Sequence, residues 1–161
     1  IVLYGDILFE IETLKRLIKS KENTTLVVDR GWKKHYQDSQ EGHSLPPELT
    51  ALSGETEYIK TVGVGLRETN LTSEFIGLAR LSANACSILS DVYKNIYCQD
   101  RKQDFHSAKC IQKASFVDFI QELINRGEKV TALEIWRSWI DIDTFEDYRN
   151  SWKFIENIGQ S

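Results

Sequence analysis

The segment IVLYGDILFEIETLKRLIKSKENTTLVVD, residues 1–29, contains the pattern from which we predict the fold class. It opens with a continuous apolar run, residues 1–4, which is typical of a buried strand in a parallel sheet. From about residue 9 to residue 20, apolar side chains recur at helical spacing and charged side chains face the other way. Residues 24–28 are β-branched or apolar and predict a second strand, which ends at Asp29. A strand, a helix and a strand at this spacing predict a βαβ unit with a right-handed crossover.

The rest of the chain continues the alternation of strands and helices. A polar, turn-rich stretch at about 37–54 predicts a surface loop, and residues 55–66 predict a short hairpin at a sheet edge. The further expected elements are a strand at 74–81, a helix at about 82–97, a polar loop at 99–110, a helix at about 114–125, a strand at 129–136 and a last helix at about 144–158. We therefore expect an α/β fold, built as a three-layer sandwich around a mostly parallel sheet.

Composition and charge narrow the class of function. The chain of 161 residues suits one domain, and its net charge of −4 argues against a nucleic-acid partner, which usually meets a basic face. No apolar run approaches the roughly 20 residues of a membrane span, so we expect no membrane partner. Three widely spaced cysteines indicate neither a disulfide framework nor a zinc site. These features lead us to expect a cytoplasmic location.

Three aspartates follow predicted strands, where chemistry gathers in α/β sheets: Asp6, Asp29 and Asp143. Two carboxylates at neighbouring strand ends can hold one Mg²⁺, because the ion prefers oxygen ligands and keeps several waters. Asp6 and Asp143 fit that role. A plainer explanation is also open, in which Asp6 is a turn residue after Gly5 and Asp143 only precedes a helix cap.

Five short motifs resemble those of one enzyme family. YGDILF (4–9) is similar to the "GD" motif at a strand end in nucleoside-diphosphate-sugar pyrophosphorylases and their relatives, and WIDIDTFED (139–147) is similar to their closing motif. TLVVDRGW (25–32), EFIGLA (74–79) and FHSAK (105–109) resemble the phosphocholine and phosphonate cytidylyltransferase branch, including domains fused to phosphoenolpyruvate mutases. The resemblance covers nearly the whole chain.

The resemblance implies a fold, an activity and a cofactor. Residues 1–161 would form part of a Rossmann-like nucleotidyltransferase domain whose N-terminal nucleotide-binding portion is absent. A fused or partner domain could lie upstream. The implied reaction transfers CMP from CTP to a small phosphonate or phosphocholine-like acceptor and releases pyrophosphate. Asp6 and Asp143 would hold the catalytic Mg²⁺. The chain departs from relatives at Asp141, where many have Glu, and at Val64, where many have Lys.

The expected substrate-binding residues are Asp29, Glu74, Gly77, His106, Lys109, Trp136 and Trp139. Asp29 and Glu74 could pair with an amino or quaternary ammonium group of the acceptor, and the two tryptophans offer cation–π faces. His106 and Lys109, with Arg137, could bind a phosphate or phosphonate group. Each also has a plainer explanation, namely a solvated carboxylate, a tryptophan in the core or an exposed loop histidine.

Two other functions remain open at the level of sequence. A sugar-1-phosphate nucleotidyltransferase would use a similar site on another acceptor. A non-catalytic domain that binds a metabolite or supports a partner would keep the fold without the chemistry. No motif for a nucleophile and its base is present. That absence suits nucleotidyl transfer, which depends on positioning and charge neutralisation.

Overall fold

The computed structural model describes residues 1–34, 47–52, 56–66, 70–99 and 104–158. The strands are β1 (Val2–Leu3), β2 (Ile7–Phe9), β3 (Thr24–Asp29), β4 (Glu48–Leu52), β5 (Ile59–Val64), β6 (Ser73–Leu81), β7 (Val130–Ile135) and β8 (Trp139–Asp141). The helices are α1 (Ile11–Lys19), α2 (Ala83–Gln99), α3 (Phe116–Asn125) and α4 (Phe145–Ile158). The strands predicted at 24–28, 74–81 and 129–136 and the four predicted helices are confirmed to within about two residues, the usual uncertainty of element ends.

The main sheet is mixed, so the prediction of a mostly parallel sheet was wrong. Its strands lie in the order β5-β4-β6-β3-β7, and β1 pairs with part of β6. Among the described strand pairs only β3 and β7 are parallel, because β6 runs antiparallel to β1, β3 and β4. β1 and β3 do run in the same direction, as a βαβ unit requires, but β6 lies between them. The apolar pattern identifies a strand and carries no information on the direction of its neighbours.

Two apolar clusters pack on opposite faces of the main sheet and give it three layers. Strand β3 is buried along its whole length, with Leu26 and Val28 on one face and Val27 on the other. The first face packs against α3 and partly buried residues of α2, and the second packs against Leu17 of α1. Helices on both sides explain why β3 and most of β6 are buried on both faces.

Two strand predictions need correction. The first apolar run was expected to be a buried central strand, but Leu3 is 54% exposed and β1 has only two residues. The predicted loop at 37–54 contains strand β4, and the rest of that loop lies mostly outside the described residues. Strand β4 pairs with both β5 and β6, and it was missed because its five residues are flanked by turn-forming ones.

A small second sheet joins a segment near the start of the chain to a segment near the end of the described residues. Strand β2 pairs antiparallel with β8, with Ile7 opposite Asp141 and Phe9 opposite Trp139. Neither the pairing nor β2 itself was predicted, since residue 9 had been placed in the first helix. Within the described segments, no helix has the length and apolar content that crossing a bilayer demands.

Candidate active site

Three aspartates lie close together where β2 begins and β8 ends. The register that places Ile7 opposite Asp141 also lets the Ile142 amide donate a hydrogen bond to the Asp6 carbonyl at 2.9 Å. Carboxylate oxygens of Asp6, Asp141 and Asp143 consequently lie within 4.8 Å of one another. The expected approach of Asp6 and Asp143 is therefore observed, and Asp141 joins them. We call these residues the aspartate triad.

The triad carries strong local negative charge. Burial and the charges of Asp143 and Asp6 raise the pKa of Asp141 to about 6, against the hydrogen bond from the Ile142 amide. Asp141 is partly buried, whereas Asp6 and Asp143 are exposed. Three carboxylate donors with one open side fit Mg²⁺, which takes hard oxygen ligands and retains waters or phosphate oxygens on its remaining positions.

The segment that carries Asp143 is held by a helix cap. Thr144 precedes α4, and its hydroxyl and amide both donate to the Asp147 carboxylate, at 2.7 and 2.9 Å. The Asp147 amide donates back to the Thr144 hydroxyl at 3.1 Å. This reciprocal arrangement is a capping box, and it confirms Thr144 as the predicted N-cap. It limits how far the neighbouring Asp143 backbone can move.

A cavity of about 360 Å³ adjoins the triad. Its described lining consists of Tyr4, Asp6, Ile7, Pro47, Glu48, Val64, Glu74, Phe75, Ile76, Gly77, Trp139, Asp141 and Asp143. Three of the expected substrate-binding residues are present in that lining: Glu74, Gly77 and Trp139. No Lys, Arg or His occurs among the described lining residues. A phosphate group entering here would therefore need a cation to offset the carboxylates.

Gly77 occupies a position in β6 that other residues would strain. Its φ of +80° lies in the left-handed region, and the pairing between β3 and β6 shifts register beside it. A Cβ at this position would come within 2.5 Å of the Tyr4 ring. Both the backbone conformation and the close ring therefore require glycine.

Tyr4 and Glu48 form a pair in the cavity wall that sequence analysis missed. The Tyr4 hydroxyl donates to a Glu48 carboxylate oxygen at 3.0 Å. Burial and the neighbouring carboxylate raise the pKa of Tyr4, so it stays protonated as a donor. Burial also raises the pKa of Glu48, although the hydrogen bond from Tyr4 opposes this rise. Glu48 lies in the segment predicted as a loop, so no sequence pattern linked it to Tyr4.

Asp29 lies at the end of β3, as predicted, but it does not line the cavity. It is fully buried, and one carboxylate oxygen accepts hydrogen bonds from the amides of Gly31 and Arg137, at 2.7 and 2.9 Å. The other oxygen accepts from the Trp139 indole at 3.1 Å. Asp29 was expected to contact an acceptor, and the structure gives its carboxylate three hydrogen-bond donors from the protein. Its carboxylate instead fixes the segment that leads into β8.

The structure does not bring the remaining expected residues to the cavity. Trp136 is 61% exposed on another surface, with the Lys34 ammonium 5.9 Å from its ring centre. His106 lies in a turn and contacts the Glu122 carboxylate at 2.9 Å. Neither these two nor Lys109 is among the described residues that line the cavity. They had been proposed for the acceptor site from their side-chain chemistry and from motif resemblance.

Comparisons with known proteins found one similar sequence and several structures with a similar fold. No protein-family model matches the chain. It is 26% identical over 148 residues to a CTP:phosphoglutamine cytidylyltransferase from Campylobacter jejuni, covering 91% of this chain and 56% of that protein. Its structure is similar to the inositol-1-phosphate CTP transferase from T. maritima, with a TM-score of 0.62, 16% identity and coverage of 96% and 53%.

A further similarity is to the CTP:phosphocholine cytidylyltransferase from Streptococcus pneumoniae, with a TM-score of 0.50, 13% identity and coverage of 83% and 48%. The chain thus spans about half the length of the proteins it matches. At these identities the structural matches establish the fold, and the sequence match adds a cytidylyltransferase relative. The chain therefore has the α/β fold of these nucleotidyltransferases, and its sequence is similar to that of one cytidylyltransferase.

Proposed function

We propose that the protein containing this chain transfers a cytidylyl group from CTP to a small phosphonate or phosphocholine-like acceptor, with Mg²⁺ as cofactor. The observation that carries the proposal is the aspartate triad on the wall of the cavity. The similarity to a CTP-dependent enzyme supports the nucleotide and the reaction class.

In the proposed reaction an oxygen of the acceptor attacks the α-phosphorus of CTP. The bond between the α-phosphorus and the bridging oxygen breaks, and pyrophosphate leaves with that oxygen. Bound Mg²⁺ would neutralise phosphate charge and keep the reacting groups in line. Asp6 and Asp143 are the proposed ligands, and Asp141 supplies a third carboxylate. Nucleotidyl transfer needs little else from the protein beyond positioning.

The rest of the cavity would receive the acceptor. Glu74 is 5% exposed and lines the wall, where its carboxylate could face a positively charged acceptor group. Trp139 contributes a buried aromatic ring to the cavity wall, and its indole donates a hydrogen bond to Asp29. We also propose that the protein acts in the cytoplasm.

Pyrophosphate release tests the proposal. The protein containing this chain is incubated with CTP and Mg²⁺, and with 2-aminoethylphosphonate, phosphocholine or glucose 1-phosphate as acceptor. We expect release with one of the first two, and a loss of about 100-fold or more for Asp6→Asn and Asp143→Asn, because each removes a proposed ligand of the Mg²⁺ that would neutralise transition-state charge. Asp104→Asn is the matched control, since Asp104 is exposed and lies outside the cavity.

Other outcomes point to other functions. Turnover with glucose 1-phosphate alone would replace the proposed acceptor class by a sugar phosphate. Faster turnover with UTP than with CTP would overturn the nucleotide assignment. No pyrophosphate with any acceptor, together with normal folding, would indicate a non-catalytic domain that binds a metabolite or a partner.

A further inference from the structure

We propose that Tyr4 and Gly77 form a clamp that positions Asp6 in the aspartate triad. Tyr4 is thus a positioning residue, which acts through Asp6 and not on the substrate. The effect of the clamp on metal affinity rests on the metal site proposed above. Its effect on the backbone at Asp6 does not depend on that site.

The clamp begins with backbone and ring contacts on β6. The Tyr4 amide donates to the Gly77 carbonyl at 2.9 Å, and the Tyr4 ring occupies the space that a side chain at position 77 would need. The ring also packs edge-on against Phe75, with centroids 5.8 Å apart. These contacts hold the chain two residues before Asp6 against a central strand of the sheet.

The hydroxyl of Tyr4 adds a second attachment. It donates to Glu48 at 3.0 Å, and Glu48 begins strand β4, which also pairs with β6. Tyr4 is therefore held at its amide, its ring and its hydroxyl by two neighbouring strands. These contacts end at a residue that directly precedes the turn at Gly5.

The turn itself has little support of its own, so the clamp is needed. Apart from its chain neighbours, no described residue has an atom within 4 Å of the position that a Cβ at Gly5 would take, and the Asp6 side chain is exposed. The triad carboxylates repel one another, which favours movement of Asp6 away from its neighbours. Tyr4 anchors the chain before the turn, and the hydrogen bond from the Ile142 amide anchors it after the turn.

Two variants and one control test the clamp. Gly77→Ala places a methyl group against the Tyr4 ring, and Tyr4→Phe keeps the ring but removes its bond to Glu48. Gly127→Ala is the control, because Gly127 also has a positive φ, of +85°, but has open space around it. It reproduces the backbone strain without touching the clamp. Each folded chain is examined by amide hydrogen exchange at Ile142 and by Mn²⁺ titration monitored by electron paramagnetic resonance.

We expect Ile142 to exchange faster in Gly77→Ala and, to a smaller extent, in Tyr4→Phe, with the Arg30 amide as an internal reference. The Arg30 amide is suitable because it bonds to the Ile135 carbonyl, away from the triad. Mn²⁺ affinity should fall about 10-fold or more in Gly77→Ala, as for other changes to groups that orient metal ligands. Tyr4→Phe should lower it about threefold, which is typical of one lost hydrogen bond. Gly127→Ala should match the wild type in both measurements.

The inference would be overturned if the Ile142 amide exchanged at the wild-type rate in both clamp variants. It would also be overturned if the exchange rate rose by the same amount in the clamp variants and in Gly127→Ala. If Gly77→Ala does not fold, Tyr4→Phe alone decides by the same criterion. A wild-type chain that binds no Mn²⁺ would refute the proposed metal site, and Ile142 exchange would then decide the clamp by itself.

Discussion

Asp141→Asn should stabilise the protein in the absence of metal, by removing one of three mutually repelling carboxylates. The triad oxygens lie within 4.8 Å of one another. At this distance two unit charges repel by about 1 kcal/mol in water and about 3 kcal/mol at an effective dielectric constant of 20. Asp6 and Asp143 are exposed, so screening brings each pair close to the lower value. We therefore expect a gain of about 1 to 2 kcal/mol in the free energy of unfolding at pH 7.5.

The gain should depend on pH in a defined direction. The folded protein raises the pKa of Asp141 to about 6, whereas an unfolded aspartate titrates near 3.9. Between these two values the folded chain binds more protons than the unfolded chain, so wild-type stability falls as pH rises. The advantage of Asp141→Asn should be small below about pH 4, grow up to about pH 6 and remain constant above it.

Urea unfolding with a chelator, between pH 4 and pH 8, measures this dependence. Asp104→Asn serves as the control, since it removes an exposed carboxylate outside the triad. Addition of Mg²⁺ should stabilise the wild type more than Asp141→Asn, because a ligand that binds only the folded state adds to stability. The repulsion argument would be refuted if, without metal, Asp141→Asn were less stable than the wild type at pH 7.5. It would also be refuted if the gain in free energy of unfolding did not vary with pH.

Two further predictions concern groups that hold the site in place. Trp139→Phe should lower the free energy of unfolding, measured with urea, by about 2 kcal/mol, because it removes an indole hydrogen bond to the buried Asp29 carboxylate. An unchanged urea midpoint would show that this hydrogen bond adds no stability. Burial acts to raise the pKa of Asp118, but hydrogen bonds from Ser107 and Ser115 outweigh it and lower the pKa. Asp118→Asn should therefore lower the free energy of unfolding by about 2 kcal/mol at pH 7. The loss should shrink as pH falls below about 4, because the unfolded Asp118 takes up its proton at a higher pH than the folded one. A loss that is the same at pH 3 and pH 7 would contradict this.

Part of the candidate site was predictable because its residues mark the ends of local elements. Asp6 follows a glycine after a short strand, and Asp143 precedes Thr144, whose hydroxyl caps the last helix. Motif resemblance added Glu74 and Gly77, which do line the cavity. His106, which does not line the described cavity, belongs to a polar loop whose position no local pattern determines.

Local sequence determined where β3, β6 and the helices form, because the spacing of apolar side chains depends only on the repeat of each element. It did not determine which strands pair or in which direction, and so it misjudged β1 and missed β2 and β4. Tertiary structure alone decided that β2 pairs with β8, which adds Asp141 to the triad, and that Glu48 meets Tyr4. The physical reason is that pairing between distant segments depends on the packing of the whole sheet, which cannot be predicted from any short stretch of sequence.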